Sequence, residues 1–194
     1  MGIIESVGLE DWDRRFRDET REELPSPLPF VVEMAQGLEP GEALDLACGS
    51  GRHAIWLAEH GWSVTAADGS AAGIEILKKR SEGLSIQALV ADLEKHEYSI
   101  APDAWDLIVI SLYLQRDLFE PAKLGVKPGG VLIAITLLGA GRHRLQAGEL
   151  KNYFVGWEIL QFAEDSGFAR IAARSPKFDQ QAGRSATEPR TTSG

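Results

Sequence analysis

Apolar runs alternate with segments of helical spacing along residues 42–136. The apolar runs have the length and continuity of buried strands and lie at 42–47, 62–67, 85–91, 106–111 and 130–136. The segments between them predict helices at 51–60, 70–81 and 115–125. Strands that alternate with helices are typical of a parallel sheet covered by helices on both faces. We therefore predict an α/β fold built on one doubly wound, mostly parallel sheet.

The segment before the first strand has a different pattern. Leu9, Trp12 and Phe16 fall at i, i+3 and i+7, on one face of a helix that charged residues surround. Residues 28–37 predict a second helix, which ends at Gly37. A helix with one apolar face must pack on another element, so we predict that residues 1–40 form a helical cap.

The pattern changes again after residue 148. It predicts a short helix and then two strands, near 157–163 and 168–174, which we expect to form an antiparallel hairpin at the edge of the sheet. The last segment, 176–194, carries almost no large apolar side chains, and we predict that it is a mobile tail. Residues 41–175 then form the single predicted domain.

Composition and charge narrow the class of protein. The 194 residues are 44% hydrophobic and 25% charged, which is ordinary for one soluble domain. A net charge of −9 repels phosphate backbones, so we expect no nucleic-acid partner. One cysteine, no signal-peptide pattern and no apolar run long enough for a membrane predict a cytoplasmic protein without a membrane partner. The histidines and carboxylates show no metal-ligand spacing, so no metal site is predicted.

A glycine-rich turn joins the first predicted strand to the next helix, in the segment ALDLACGSGRHA (43–54). Gly49 and Gly51 have no Cβ, so a ligand can approach the backbone closely. The helix after them offers free N–H groups to an anionic part of a ligand. In an open parallel sheet, ligands bind at the carboxyl ends of strands, where the strand order reverses. We interpret Cys48, inside the turn, as a packing residue and not as a nucleophile.

Acidic residues follow the next two strands. Asp68 comes after the second strand, and a carboxylate there can accept hydrogen bonds from both hydroxyls of a ribose. Asp92 comes after the third strand, where an adenine amino group can donate to it and where Leu93 can pack on the base. Each acid alone is equally well explained as a turn or N-cap residue. Their order at successive strand ends predicts a nucleoside site.

The turn alone leaves two nucleoside cofactors open. The spacing Gly49-x-Gly51-x-x-Ala54 also fits the dinucleotide pattern, so it does not exclude NAD. Against NAD, the motif starts well inside the chain, and no tyrosine is followed by lysine at the spacing Tyr-x-x-x-Lys. A nicotinamide-dependent oxidoreductase is therefore the third hypothesis for this chain.

These motifs together resemble class I S-adenosylmethionine (SAM) methyltransferases, from residue 42 to 136 and more weakly to 175. The first family motif stands here as DLACGSG (45–51), with Ala47 in place of the commoner glycine. The acids Asp68 and Asp92 and the run KPGG (127–130) match later motifs. The resemblance implies a Rossmann-like seven-stranded sheet, with the terminal hairpin as strands six and seven, and SAM as the cofactor. The cofactor-binding candidates are then Asp45, Ala47, Gly49, Gly51, Asp68, Gly69, Asp92, Leu93 and Ser111.

Within that family, the segments WDRRF (12–16) and YLQR (113–116) resemble the small-molecule branch, which includes tellurite-resistance-like and thiopurine-like enzymes. This implies methyl transfer to a small acceptor, which is a thiol, a metalloid oxyanion, an amine or a hydroxyl. The chain departs from the branch at Gln115, where His is expected, and in a shorter segment 137–147. These departures motivate a second hypothesis, a SAM-binding sensor or partner subunit without catalysis.

Few side chains are candidates for the chemistry. Methyl transfer from a sulfonium is a direct displacement, so alignment of the reactants supplies most of the catalysis. Tyr113 and Arg116 follow the fourth strand and are the candidate catalytic residues, with a helix cap and a surface ion pair as the alternatives. His53 opens the helix after the glycine turn and is a candidate for cofactor or substrate contact, or else a packing residue.

Two further groups are candidates for the substrate side. Arg142 and His143 belong to a small basic cluster after the fifth strand that could attract an anionic substrate, although such residues are commonly just solvated. Trp12 and Phe16 are predicted to fold over the cofactor as a lid, with ordinary hydrophobic docking of their helix as the alternative.

Overall fold

Seven strands form one mixed sheet in a computed structural model that describes residues 8–18 and 25–177. The strands are β1 (Glu42–Leu46), β2 (Ser63–Asp68), β3 (Ile86–Val90), β4 (Trp105–Ser111), β5 (Val126–Leu137), β6 (Glu158–Asp165) and β7 (Phe168–Arg174). Their order across the sheet is β3-β2-β1-β4-β5-β7-β6. The first five strands are parallel, and β7 pairs antiparallel with both β5 and β6. The predicted α/β sheet and its terminal antiparallel hairpin are thus confirmed.

Helices cover both faces of this sheet. They are α1 (Leu9–Arg17), α2 (Pro29–Gln36), α3 (Arg52–Glu59), α4 (Ala71–Arg80), α5 (Phe119–Gly125) and α6 (Glu149–Asn152). Side chains of α2, α3 and α4 form one buried cluster with alternate residues of the strands, such as Leu107 and Val109. Side chains of α5 and α6 pack with the intervening residues, such as Ile108 and Ile110. The continuous apolar runs of the strands are explained by these two buried faces.

The ends of α4 agree with the sequence. Ser70 is the N-cap, and its hydroxyl accepts a hydrogen bond from the Gly73 N–H at 3.1 Å. Lys78, Lys79 and Arg80 occupy the last turn, where cations interact favourably with the helix dipole.

The fifth strand begins earlier than the sequence predicts. The sequence predicts a strand at 130–136, but β5 already starts at Val126 and includes the run KPGG (127–130). The pairing with β4 moves from Trp105 opposite Val126 to Leu107 opposite Val131, so the run forms a bulge inside the strand. Pro128 has no N–H for the ladder, and a bulge tolerates this. The predicted helix at 115–125 likewise begins as a 3-10 turn at Arg116–Leu118 before α5.

The strand order reverses between β1 and β4. From β1 the chain builds outward to β2 and β3, then crosses back to place β4 and β5 on the other side of β1. The carboxyl ends of β1 and β4 therefore flank a crevice of the kind in which open α/β sheets bind ligands. The residues predicted for the cofactor lie at this edge.

Two predicted segments fall partly outside the described residues. In the predicted cap, residues 1–7 and 19–24 lie outside the described part of the chain. In the predicted tail, residues 178–194 lie outside it. Within residues 8–18 and 25–177, no helix is long and apolar enough to cross a membrane.

Candidate functional site

The glycine-rich turn bends sharply after β1. Ala47, Gly49 and Gly51 all have positive φ, at 55°, 56° and 87°, a left-handed conformation that glycine adopts without steric cost. The Cys48 N–H donates to the Ala67 carbonyl at 3.2 Å, and the Gly51 N–H donates to the Cys48 carbonyl at 3.0 Å. These bonds tie the turn to β2 and lead directly into α3. Cys48 is buried, and burial raises the pKa of its thiol, which agrees with a packing role.

Asp45 anchors the helix after the turn. It is 1% exposed, and its Oδ2 accepts from the Ala54 N–H at 3.1 Å, in the first turn of α3. Burial raises the pKa of Asp45 to about 7, against the lowering effect of that hydrogen bond. The Asp45 carboxyl therefore holds the first turn of α3 against the end of β1.

Asp68 joins the turn to the start of α4. Its Oδ2 accepts from the Gly49 N–H at 2.8 Å, and its Oδ1 accepts from the Ser70 N–H at 2.7 Å. Burial raises the pKa of Asp68, and the two backbone donors oppose that rise. Each carboxylate oxygen has a second lone pair, so the predicted ribose contact stays compatible with this geometry.

Helix α1 lies over the same edge of the sheet. Asp13 Oδ1 accepts from the Ser70 hydroxyl at 2.7 Å and from the Ala72 N–H at 3.0 Å, at the start of α4. Phe16 lies so close to the turn that a Cβ on Gly49 would stand 2.8 Å from its Cζ atom. Sequence reasoning missed Asp13, because no pattern distinguishes it from the other acidic residues of α1.

The two aromatic residues of α1 differ in their surroundings. Phe16 covers the glycine turn, whereas Trp12 is 43% exposed with the Arg15 guanidinium over its ring. The lid prediction for both stays a prediction, and the structure places Phe16 in direct contact with the turn.

Asp92 closes a tight turn after β3. Its Oδ1 accepts from the Glu94 N–H at 3.0 Å, and its Oδ2 pairs with Lys95 Nζ at 3.0 Å. Burial alone would raise the pKa of Asp92, but the hydrogen bonds and charge of Lys95 outweigh it, so that pKa is lowered. Leu93 beside it is buried. The proposed adenine contacts of both residues stay predictions.

Ser111, at the carboxyl end of β4, has a buried hydroxyl oxygen with no hydrogen-bond partner among the described residues. This oxygen is closed off from solvent, so a ligand in the crevice would meet it only after the residues around it shift. The predicted cofactor contact of Ser111 stays a prediction. Gly69 completes the predicted cofactor set and contacts Leu9 of α1.

Tyr113 and Gln115 form a hydrogen-bond chain behind this edge. The Tyr113 hydroxyl donates to Gln115 Oε1 at 2.8 Å, and Gln115 Nε2 donates to the Leu93 carbonyl at 3.2 Å. Burial raises the pKa of Tyr113, and nearby carboxylates, first that of Glu94, raise it further. Tyr113 therefore stays protonated at neutral pH and is unsuited to act as a general base.

Arg116 is held by other parts of the chain. Its Nε donates to Glu149 Oε1 at 2.8 Å, and its remaining nitrogens donate to the carbonyl oxygens of Arg142 and Arg144 at 3.1 and 3.0 Å. The guanidinium thus clamps the segment after β5 onto α6. The catalytic prediction for Arg116 stays a prediction, while the ion pair with Glu149 favours the alternative of a surface ion pair.

A cleft of about 290 Å³ opens between the loops after β3, β4 and β5. It is lined by Glu94, Leu114, Gln115, Arg116, Asp117 and Arg142. Arg142 is thereby placed beside Gln115, whereas His143 is not among the residues that line this cleft.

His53 has a partner away from this cleft. Its Nε2 accepts from the Leu28 N–H at 3.2 Å, at the start of α2. Burial lowers the pKa of His53 to about 3, so the ring is neutral. Its predicted contact with cofactor or substrate stays a prediction, while the observed bond favours the packing alternative.

The family of the chain follows from a comparison with family models. The model described as "Tellurite resistance protein TehB" matches residues 21–175. The chain belongs to the TehB family. The resemblance to the tellurite-resistance-like branch is confirmed.

Curated relatives agree with the TehB family. A probable S-adenosyl-L-methionine-dependent methyltransferase TehB of Haemophilus influenzae is 26% identical over 151 residues, or 71% of this chain and 53% of that relative. Ribosomal RNA small subunit methyltransferase C of Alcanivorax borkumensis is 30% identical over 106 residues, or 48% of this chain and 31% of that relative. This chain spans about half the length of the TehB relative. The ribosomal RNA enzyme leaves the predicted absence of a nucleic-acid partner unconfirmed.

Solved structures support the fold. The crystal structure of TehB from Haemophilus influenzae has a TM-score of 0.69 and 22% identity, covering 84% of this chain and 66% of that one. A SAM-dependent methyltransferase from Mesorhizobium loti has a TM-score of 0.65 and 20% identity, covering 75% of this chain and 96% of that one. The fold of this chain is therefore similar to the folds of these two solved structures.

Proposed function

We propose that this chain binds SAM at the carboxyl edge of β1, β2 and β4 and transfers its methyl group to a small-molecule acceptor. The observation that carries the proposal is the convergence of the glycine turn and Asp68 at the point where the strand order reverses. The TehB relative, named as a probable SAM-dependent methyltransferase, supports it.

The residues present fit this cofactor. Asp68 retains lone pairs for a ribose. Phe16 of α1, which fills the space beside Gly49, is the side chain that the cofactor would displace to reach the turn. When bound, SAM supplies a methyl group already activated by the sulfonium charge. The protein's part is then to hold the cofactor, to align the acceptor and to exclude water.

Three of the candidate groups are unsuited to act as a base, which leaves the carboxylates of Glu94 and Asp117 in the lining of the cleft. Tyr113 keeps its proton, His53 is buried against Leu28, and Asp45 is bonded beneath the turn. A thiolate or a reduced metalloid oxyanion already carries a reactive lone pair, whereas a hydroxyl or a protonated amine must lose a proton first. The cleft of about 290 Å³ beside Arg142 suits such a small acceptor.

Calorimetry tests the cofactor first. We expect SAM and S-adenosylhomocysteine to bind and NAD not to bind. Binding of NAD without SAM would overturn the proposal in favour of an oxidoreductase.

Turnover with hydrosulfide, small thiols, selenite and tellurite then tests the chemistry. Methyl transfer to one of these supports the enzyme. Cofactor binding without transfer to any of them would favour the sensor that the unusual Gln115 motivates.

A further inference from the structure

Tyr113 leaves the end of β4 through a strained turn. Leu112, directly before it, has a φ of 56°, a left-handed conformation that is costly for a residue with a branched side chain. The Leu112 N–H donates to the Ile135 carbonyl at 2.7 Å, which holds this conformation against β5. Such strain persists where the surrounding structure enforces it, and it is common at functional sites. The fold therefore fixes the direction in which Tyr113 enters the edge of the sheet.

A chain of two hydrogen bonds then fixes the hydroxyl proton of Tyr113. The Leu93 carbonyl can only accept, so the Gln115 amide must turn its NH₂ group toward Leu93 and its oxygen toward Tyr113. The hydroxyl places its proton on that oxygen, at a donor–acceptor distance of 2.8 Å. The lone pairs of the phenolic oxygen consequently point away from Gln115.

The Tyr113–Gln115 pair connects two parts of the proposed site. Gln115 lines the cleft beside Arg142. Gln115 also bonds to Leu93, three residues after the end of β3, and Tyr113 follows the end of β4 by two residues. The pair therefore lies between the ends of β3 and β4, beside the cleft that Gln115 lines.

We propose that Gln115 is a positioning residue for methyl transfer: by holding the hydroxyl proton of Tyr113, it turns the phenolic oxygen toward the methyl group that is transferred. This inference rests on the proposed function. The hydrogens of a sulfonium methyl group carry partial positive charge, and a lone pair aimed at them forms weak C–H···O contacts. These contacts hold the carbon in line with the acceptor.

The same geometry explains what His would do at position 115. A neutral imidazole has one acceptor nitrogen and one N–H donor, so it can accept from Tyr113 and donate to Leu93 as the amide does. Glutamine and a neutral histidine thus offer the same pair of groups, one acceptor and one donor.

The experiment compares the affinities of the full-length chain for SAM and for S-adenosylhomocysteine, which has no methyl group to contact. Gln115→Leu and Tyr113→Phe are each expected to raise the ratio of the SAM dissociation constant to the S-adenosylhomocysteine dissociation constant about two- to tenfold. Because the two residues act as a unit, the double variant should raise it no further. Gln115→His should stay within about twofold of the unmodified chain, since it retains both hydrogen bonds.

Gln87→Leu, the same change at an exposed glutamine of β3, is the matched control and should leave the ratio unchanged. Equal weakening of both ligands by Gln115→Leu, or no recovery with Gln115→His, would overturn the inference. If Gln115→Leu does not fold, Gln115→Met replaces it, since a thioether has similar length but is only a weak acceptor and cannot donate to Leu93, and a raised ratio is again expected. A chain that binds neither ligand in its unmodified form would instead contradict the proposed function.

Discussion

Asp68 performs a structural task that its predicted ribose contact did not suggest. Both of its oxygens accept backbone N–H groups, from Gly49 and from Ser70, and so fix the glycine turn against α4. A ligand that binds this carboxylate therefore meets a group already held in place, which reduces the entropy lost on binding.

Asp68→Ala should consequently affect both folding and binding. Two buried N–H groups lose their acceptor, so we expect the free energy of unfolding to fall by about 1–3 kcal/mol and SAM binding to weaken by a similar amount. Urea unfolding and calorimetry measure the two effects. Asp165→Ala, which removes an exposed partner of Arg170, is the control and should change stability by less than about 1 kcal/mol. Unchanged SAM affinity of Asp68→Ala would contradict the ribose role.

Asp45 should make stability depend on pH. Its folded pKa of about 7 lies above the ordinary value of 3.8, so the folded chain holds a proton that the unfolded chain releases between these values. The free energy of unfolding therefore falls as the pH rises from about 4 to about 7, by up to roughly 1.4 kcal/mol per unit. Asp45→Asn keeps an acceptor for Ala54 but cannot ionise, so its stability should lose this slope. The free energy of unfolding of both chains is measured by urea unfolding between about pH 4 and about pH 7. If it depends on pH in the same way in both, burial does not raise the pKa of Asp45.

His53 should contribute the opposite slope. Burial first, and then the charge of Arg52, lowers its folded pKa to about 3 from the ordinary 6.5. The unfolded chain binds the proton more readily, so this contribution to stability is complete above about pH 6.5 and is lost as the pH falls toward 3. His53→Gln, which retains an acceptor for Leu28, should resist acid better than the unmodified chain in circular-dichroism titrations. Identical acid midpoints would refute the buried neutral ring.

At the scale of elements, α1 packs chiefly against α4. None of its residues is buried, and its polar anchor on α4 is Asp13, which caps the same helix start as Ser70. A short helix held in this way is expected to open more readily than the core. Because Phe16 covers Gly49, the opening of α1 would expose the glycine turn.

Two aspartates of α1 offer a matched comparison. Asp13→Ala removes two hydrogen bonds to α4, and loss of a cap costs about 0.5–2 kcal/mol, so we expect the amides of α1 to exchange hydrogen roughly tenfold faster. Asp11→Ala removes only an ion pair with Arg14 on the helix itself and should change exchange little. Cofactor dissociation, followed by stopped flow, should accelerate in Asp13→Ala alone. Equal behaviour of the two variants would mean that Asp13 does not hold the helix.

The elements could be predicted because local patterns encode them. The apolar runs and helical spacings located every strand and helix from α1 to β7. The early start of β5 could not be predicted from the sequence. Pro128 and the two glycines after it are typical of a turn, and the bulge that they form depends on pairing with β4. Contacts such as Asp13 with Ser70, or Gln115 with Leu93, join residues far apart in sequence and leave no local signal.

At the scale of the whole molecule, the candidate site exists only when distant segments have come together. Its parts come from α1, the turn after β1, the ends of β2 and β3, and the loop after β4. A ligand of this edge binds the folded chain and not the unfolded one, so it must raise apparent stability.

Thermal unfolding should show this directly. SAM at one hundred times its dissociation constant stabilises the folded chain by about 2.7 kcal/mol, which corresponds to a rise in Tm of roughly 5–10 °C for a chain of this size. NAD at equal concentration is the control and should leave the Tm unchanged. The same shift with both nucleotides would argue against a SAM-specific site.

The pairing of β1 with β4 also has a consequence for biosynthesis. Ala43 and Leu107 are neighbours in the centre of the sheet, yet everything from α3 to β3 is made between them. During synthesis on the ribosome, one backbone edge of the apolar strand β1 stays unpaired until β4 has been made. Exposed strand edges of this kind invite association with other chains, so the nascent protein is a natural client for chaperones during that interval.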